Sequence, residues 1–402
     1  MDLSTVLQPL FQSRSLPTTV GGGFSLFGGV TTKKGVPVTA NTALTLSAFY
    51  NGIEIITNDY AKLPKSVYQK TDAGRFKKSA HPVNYLISKR PNSFMTAFMF
   101  DKMMLQYAVL KGNAYAQIIR GNTGTPVSLK LIDQDQHPVE VVEYNAKLFY
   151  KVDSNIIAAE DMLHIPGFSF NGITGVSVIT HAANSLGVNL SSKEFATDYY
   201  NEKGIGTGVV TSSTKMDNDA KLRLGEALAN AFSTKNNWQI PIIDEASKFQ
   251  HIKISPQESM FLATNKDALG EIARFLNIPL HKLKSLDNVN NSITENLEIQ
   301  HAQDSILPWV RKFEQEYDIK LFTNREIKAN YYTKVNINAL LRADTKTKTE
   351  YLTKGIFSGW LTRNEARALE EMNPLDGLDE PLTPVNTQTQ EQIQSKLEVD
   401  GK

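Results

Sequence analysis

Apolar residues recur at helical steps in several separate stretches of this chain, and between those stretches the step shortens to the alternation of strands. Leu46, Phe49, Ile53, Ile56 and Tyr60 predict an amphipathic helix that stops before Pro64, with a strand at KSVYQK after it. Phe100, Met103, Tyr107 and Leu110 predict a second helix after RPNS, stopped by the Gly/Asn of KGN at 111–113. The runs AYAQIIR, SLKLI, VEVVEY and LFYKV are then separated by GNTGTP, DQDQHP and YNAK, which predicts a small antiparallel sheet over 114–152.

The second half alternates long helices with a compact insert. Residues 177–203 contain no proline and predict a long helix, with Gly187 inside it. A strand at GTGVVTSS, a helix over 217–233 and strands at WQIPIID and FQHIKI make a β-α-β-β unit. Ser255, Pro256 and Glu258 form a complete helix start, and that helix runs to about 277. At 1.5 Å per residue the two flanking helices are about 40 Å and about 30 Å long. If antiparallel, they form a stalk carrying the insert at its tip.

After the polar stretch SLDNVNN comes one more long pattern. Ile293, Leu297, Ile306, Val310, Phe313, Tyr317 and Leu321 follow helical steps or their multiples, and Ser292 with Glu295 fits a capping box. Pro308 interrupts it, and a proline lacks the N–H that bonds four residues back, so a kink is predicted there. From this stretch alone, a tolerated kink or two shorter helices is the favoured reading. Thr362 and Glu365 cap a last short helix, followed by Pro374.

Composition narrows the function classes. With 402 residues, 41% hydrophobic and 21% charged, the chain fits a soluble globular protein of several domains. Lys+Arg number 43 against Asp+Glu 42, so no bulk positive charge attracts nucleic acid. The absence of cysteine removes disulfides, thiolate nucleophiles and Cys-ligated zinc, and suits a reducing compartment. The N-terminus lacks the pattern of a signal peptide, and no run has the length of a membrane span, so no membrane partner and a cytoplasmic site of synthesis are expected.

No motif carries catalysis. The glycines Gly204, Gly206 and Gly208 follow a helix and precede a strand, the reverse of the order a dinucleotide fold needs, and read as a joint. GFSFNG around Ser169 has Asn171 where a nucleophile elbow needs glycine, and reads as a loop. His81, His137, His164, His181, His251, His281 and His301 show no metal-ligand spacing, and His164 in MLHIP reads as a hydrogen-bonded core residue. Neither an enzyme, a metal nor a cofactor is expected.

Several ordered segments are similar to one family, the portal proteins of tailed double-stranded DNA bacteriophages. They are HPVNYLISKRPNSFMTAFMFDKMMLQYAVLKGNAYAQIIR, DMLHIPGFS, SITENLEIQHAQDSILPWVRKFEQEYDIKLF and GWLTRNEARALEEMNPLDG, spread over roughly 40–386. The resemblance implies an α+β subunit with a helical wing and stem, a small antiparallel sheet in the wing and a β-α-β-β clip. It divides the chain into a flexible N-terminal arm (1–40), a wing (41–176), a stem helix (177–204), the clip (205–255), a second stem helix (256–277) and a tunnel-loop region (278–292). A kinked tunnel helix with the rest of the wing and a short crown (293–377) and a flexible tail (378–402) complete it. A ring of about twelve copies at one capsid vertex is implied, through which DNA is packaged and ejected. The implied partners are the large terminase, the major capsid protein and neck or adaptor proteins, in a virion assembled in the bacterial host's cytoplasm.

A conduit must let DNA slide, so weak, sequence-independent backbone contact is expected from Lys282, Lys284, Ser285, Asp287, Asn288, Asn290, Asn291 and Ser292, with Pro308 setting the bend. The alternatives are a structural ring of another kind, such as a head-tail adaptor, and a nucleotide-binding or hydrolytic enzyme using Gly204–Gly208 or Ser169.

Overall fold

The computed structural model describes residues 18–19, 30–31, 37–201, 208–212, 217–219, 222–223, 226, 247–251, 268–283, 291–340, 345–370 and 372–382. The chain forms two compact units, Met1–Val335 and Asn336–Lys402. The expected loop residues Lys284, Ser285, Asp287, Asn288 and Asn290, the helix start at Ser255 and the strand at WQIPIID lie outside the described residues, as does most of each expected arm.

The first unit opens with strands β1 (Thr18–Thr19), β2 (Val30–Thr31) and β3 (Pro37–Val38) and helix α1 (Ala40–Leu44). Helix α2 (Ser47–Ala61) buries Phe49, Ile53, Ile56 and Tyr60, the residues its spacing selects. Strands β4 (Lys65–Thr71) and β5 (Gly74–Lys77) form a hairpin, followed by α3 (Pro82–Ser88). The apolar pattern does not announce α3, but its start is built of local signals: His81 Nδ1 accepts the Val83 amide and Pro82 occupies the first helical turn.

Helix α4 (Ala97–Leu110) keeps part of its expected stripe: Phe100 and Leu110 are buried as predicted, Met104, Leu105 and Ala108 join them, and Met103 and Tyr107 are half-buried. Asp101 is also turned inward and pairs with the equally buried Lys65, while Tyr317 donates its hydroxyl to the same carboxyl at 3.2 Å. An ion pair out of water has to be satisfied, so this face of the helix is buried around it.

Strands β6 (Asn113–Arg120), β7 (Pro126–Leu131), β8 (Val139–Tyr144), β9 (Lys147–Val152), β10 (Asn155–Ala158) and β11 (Met162–Pro166) do not make the single sheet expected. They divide into β11-β6-β7 and β1-β8-β9-β10. The division falls at DQDQHP, where Asp133 accepts the amides of Asp135 and, through its carbonyl, of Gln136 and His137, turning the chain away from its previous partner. Tyr115, Ile132, Val141, Tyr150 and Met162 form the core common to both sheets.

A tight hairpin, β12 (Phe168–Ser169) with β13 (Gly175–Val176), leads into the long helix α5 (Val178–Asn201), about 36 Å by its residue count. Ser177 caps it by accepting the Ile179 amide at 3.1 Å. Beyond it, β14 (Gly208–Ser212) pairs antiparallel with β15 (Ser247–His251), which begins two residues before the expected strand at 249–254. The returning helix is described over 268–276.

Helix α6 (Asn291–Gln300), a wide π-turn (His301–Ile306) and α7 (Leu307–Lys320) follow one another without a break. The helix is described from Asn291 onward, and the side chains of the expected capping box, Ser292 and Glu295, lie outside the described residues. Helix α8 (Asn324–Lys328) carries a capping box from Thr323 and Glu326, and β16 (Tyr331–Val335) returns to pair with β4, completing a sheet of order β16-β4-β5.

The second unit contains α9 (Thr345–Phe357) and α10 (Arg363–Leu369), the latter with the Thr362–Glu365 capping box that its sequence announces. Asn364 is buried and holds the following loop: it donates to the Leu375 carbonyl and the Asp379 carboxylate, and accepts the Leu375 amide. Residues 378–379, assigned by sequence to a tail, are therefore tied to this unit.

Candidate functional site

The site is built around α7, which stands beside the open edges of two sheets. Along one side, Lys312 donates to the carbonyls of Pro166 and Gly167 at 2.8 and 2.9 Å, Glu316 accepts the His164 amide at 3.0 Å, and Lys320 donates to the Met162 carbonyl at 2.6 Å. Along the other, Glu314 accepts the Val335 amide at 2.9 Å and Asp318 the Thr333 amide at 2.6 Å. Four residues of helix rise about 6 Å, and two residues of strand rise about 6.6 Å. Side chains at every fourth helical position therefore keep step with every second strand residue.

The helix thus satisfies the edges of β11 and β16 as a further strand would. Its buried stripe is the expected one, with Ile306, Val310, Phe313, Tyr317 and Leu321 all in the core. The charged positions between them are harder to interpret from sequence, because a run such as Lys312, Glu316 and Lys320 is also what a solvated helix face looks like.

The segment DMLHIPGFS and the residues GNAY meet under this ladder. His164 accepts the Tyr150 hydroxyl on Nδ1 at 3.0 Å and gives Nε2–H to Asn113 Oδ1 at 2.9 Å, and burial pushes it down to about 3, so it is a neutral core residue as its setting suggests. Asn113 also accepts the Gly175 amide at 2.7 Å and donates to the Gly175 carbonyl at 2.9 Å. A Cβ on Gly175 would fall 2.0 Å from the Gly112 carbonyl oxygen, which is why glycine stands there. Ser169 donates to the Thr174 carbonyl and accepts the Gly172 amide, so its hydroxyl shapes a turn.

Pro308 stands in the first turn of α7, and the irregularity lies just ahead of it. The Leu307 amide reaches back five residues to the Ala302 carbonyl, the mark of a π-turn. Nine residues separate Leu297 from Ile306, about two and a half α-turns, which would put them on opposite faces of a regular helix. The extra residue in the wide turn rotates the two halves back toward one another, and His301, Ala302, Ser305 and Ile306 are all buried.

In α geometry the carbonyl deprived by Pro308 is that of Asp304, and it accepts the Asn277 side-chain amide at 2.9 Å instead. Ser305 donates its hydroxyl to the Asn277 carbonyl. Asn277 has φ of 52° and ends the 268–276 helix, with its own amide on the Arg274 carbonyl and the Ile278 amide on the Ala273 carbonyl. His301 Nε2 meets Asp59 at 2.9 Å. Burial alone would push the Asp59 carboxyl up, but hydrogen bonds from His301 and Lys62 outweigh it and hold it below its usual value.

Of the expected channel residues, Lys282 is described with its side chain, and it lies in an ion pair. Its ammonium meets Glu298 at 2.5 Å, while His281 meets the other oxygen of that carboxylate at 3.2 Å. Burial opposes the charge on Glu298, but these two partners keep the carboxyl below the usual range, so it stays ionised at neutral pH. Asn291 and Ser292 are placed at the start of α6, close in sequence to this pair. Sequence reasoning missed Asn277, Glu298, Ser305 and Glu316, whose partners lie in other elements.

Among the described residues there is no cluster of three metal-ligating side chains, and no helix is long and apolar enough to cross a membrane. Comparison with known proteins gives a consistent result. The family model described as phage portal protein matches residues 47–371. The chain is 24% identical over 346 residues to the portal protein of Enterobacteria phage HK97, covering 84% of this chain and 81% of that protein. It is 27% identical over 371 residues to the probable portal protein of Streptomyces phage phiC31, covering 88% and 80%. Its fold matches a chain in the neck of a native gene transfer agent particle computed with C12 symmetry, with a TM-score of 0.56, 14% identity and coverage of 92% and 100%. The family model spans most of the chain, and the chain belongs to the phage portal protein family.

Proposed function

We propose that the chain assembles with copies of itself into a ring of about twelve at one capsid vertex, enclosing a channel through which double-stranded DNA is packaged and later ejected. The observation that carries this is the portal family match over 47–371, supported by the fold likeness to a neck of C12 symmetry. In this reading α5 and the returning helix form the stem, and β14 with β15 belongs to a clip that docks the large terminase and afterwards neck or adaptor proteins. The major capsid protein surrounds the wing, and the ring forms in the bacterial cytoplasm before entering the virion. The role is structural.

The segment from Lys282 to Ser292 touches DNA without reading bases, since phosphates carry no sequence information. The Lys282–Glu298 pair favours weak contact, because that ammonium is already neutralised within its own chain. Electron microscopy of the purified full-length protein tests the assembly. Rings of about twelve copies with an axial hole and the long helices lining it are expected. Monomers across a wide concentration range overturn the reading, and a ring whose long helices lie away from the hole points to an adaptor instead.

A further inference from the structure

Helix α7 is fixed on two sides by its ladders to β11 and β16, whereas α6 precedes it through a wide turn followed by Pro308, which has no backbone donor. Pro308 removes one donor, and Asn277, arriving from another element, provides one. The contact is reciprocal, because Ser305 in the same turn donates to the Asn277 backbone. Asp304 is exposed, so its carbonyl has water as a ready alternative to the Asn277 amide. The buried Ser305 and the end of the returning helix favour the protein partner.

We propose that Asn277 is the positioning residue of the bent helix: its side-chain amide replaces the N–H absent at Pro308, holds the turn 301–306 in its wide form, and so sets the direction in which α6 leaves the anchored α7. This deepens the portal reading by assigning control of the bend to a residue outside the helix, and it rests on that reading only where DNA is concerned. Asn277 has a second duty as the left-handed residue ending its own helix, which glycine performs at least as well. Asn277→Gly therefore keeps the helix end and deletes only the donor.

The test is a double-mutant cycle between Asn277→Gly and Pro308→Ala in the full-length protein, read by hydrogen exchange of amides 302–307. With Pro308 present, Asn277→Gly is expected to accelerate exchange about five-fold, the loss of one net hydrogen bond. In the Pro308→Ala background, the restored backbone N–H serves Asp304, and the same substitution is expected to change exchange less than about two-fold. Equal acceleration in both backgrounds shows a mere helix-end role and overturns the proposal, as does no acceleration with Pro308. Asn277→Asp, which tolerates the same backbone conformation and cannot donate, must show the same dependence on position 308, and decides the matter if the glycine variant fails to fold.

A second readout is DNA retention by filled heads. Asn277→Gly is expected to lower it several-fold with ring assembly unchanged, and unchanged retention overturns the link to the channel. Failure of the wild-type chain to form rings would refute the portal reading, whereas the exchange cycle would still decide the role of Asn277.

Discussion

Burial pushes the Asp318 carboxyl up to about 6 even though it accepts the Thr333 amide. A carboxylate raised in the folded state contributes stability that is complete below its unfolded value near 3.8 and is lost as pH rises through about 6. Asp318→Asn keeps the acceptor for Thr333 and removes the charge. The variant's advantage in stability is expected to be negligible at pH 4 and to grow to about 1 kcal/mol at pH 7, discounted for the water that still reaches the group, and chemical denaturation at the two pH values checks it. A constant difference across that range would show that Asp318 is not the titrating residue. At this scale the sequence is legible where a residue's neighbours are local: His164 reads as a hydrogen-bonded core histidine from MLHIP alone. It is illegible where the partner is distant, as for Asp101, buried on α4 and paired with Lys65, 36 residues away.

Among elements, the S/T-x-x-E signal is legible where the helix start is local. Thr362 and Glu365 close a capping box before α10, as Thr323 and Glu326 do before α8. The motif specifies a local bond that forms only if the chain enters the helix there. The stripe of α7 was readable from its period. Its ladders were not, since the fit of four helical residues to two strand residues exists only once sheet and helix are neighbours. Glu316→Ala removes the acceptor of the buried His164 amide and the partner of Lys320, and is expected to cost about 1–3 kcal/mol in chemical denaturation. Glu316→Gln, which can still accept, is expected to recover more than half of that. Equal losses for the two variants would assign the effect to charge and not to the edge of β11.

For the whole molecule, near balance of 43 basic and 42 acidic residues suits the proposed conduit, because each neutralised phosphate would release counterions and strengthen binding. Glu298→Gln frees Lys282 while leaving the helix intact. In the assembled protein it is expected to steepen the dependence of DNA affinity on salt, by about 0.9 in log–log slope for each phosphate newly contacted, and to slow DNA passage. An unchanged slope would show that Lys282 does not face DNA. The sequence by itself determined the helices α2, α4, α5 and α7, the strands β6, β7, β8 and β9 and, through ordered motifs, the family; these depend on periodicity and on neighbours a few residues apart. Only the tertiary structure decided that the strands over 114–152 divide between two sheets, that β16 joins β4 across the chain, and that Asn277 serves a carbonyl beside Pro308. Each of these joins backbone groups to partners far apart in sequence, and a hydrogen bond between them leaves no periodic trace in either segment.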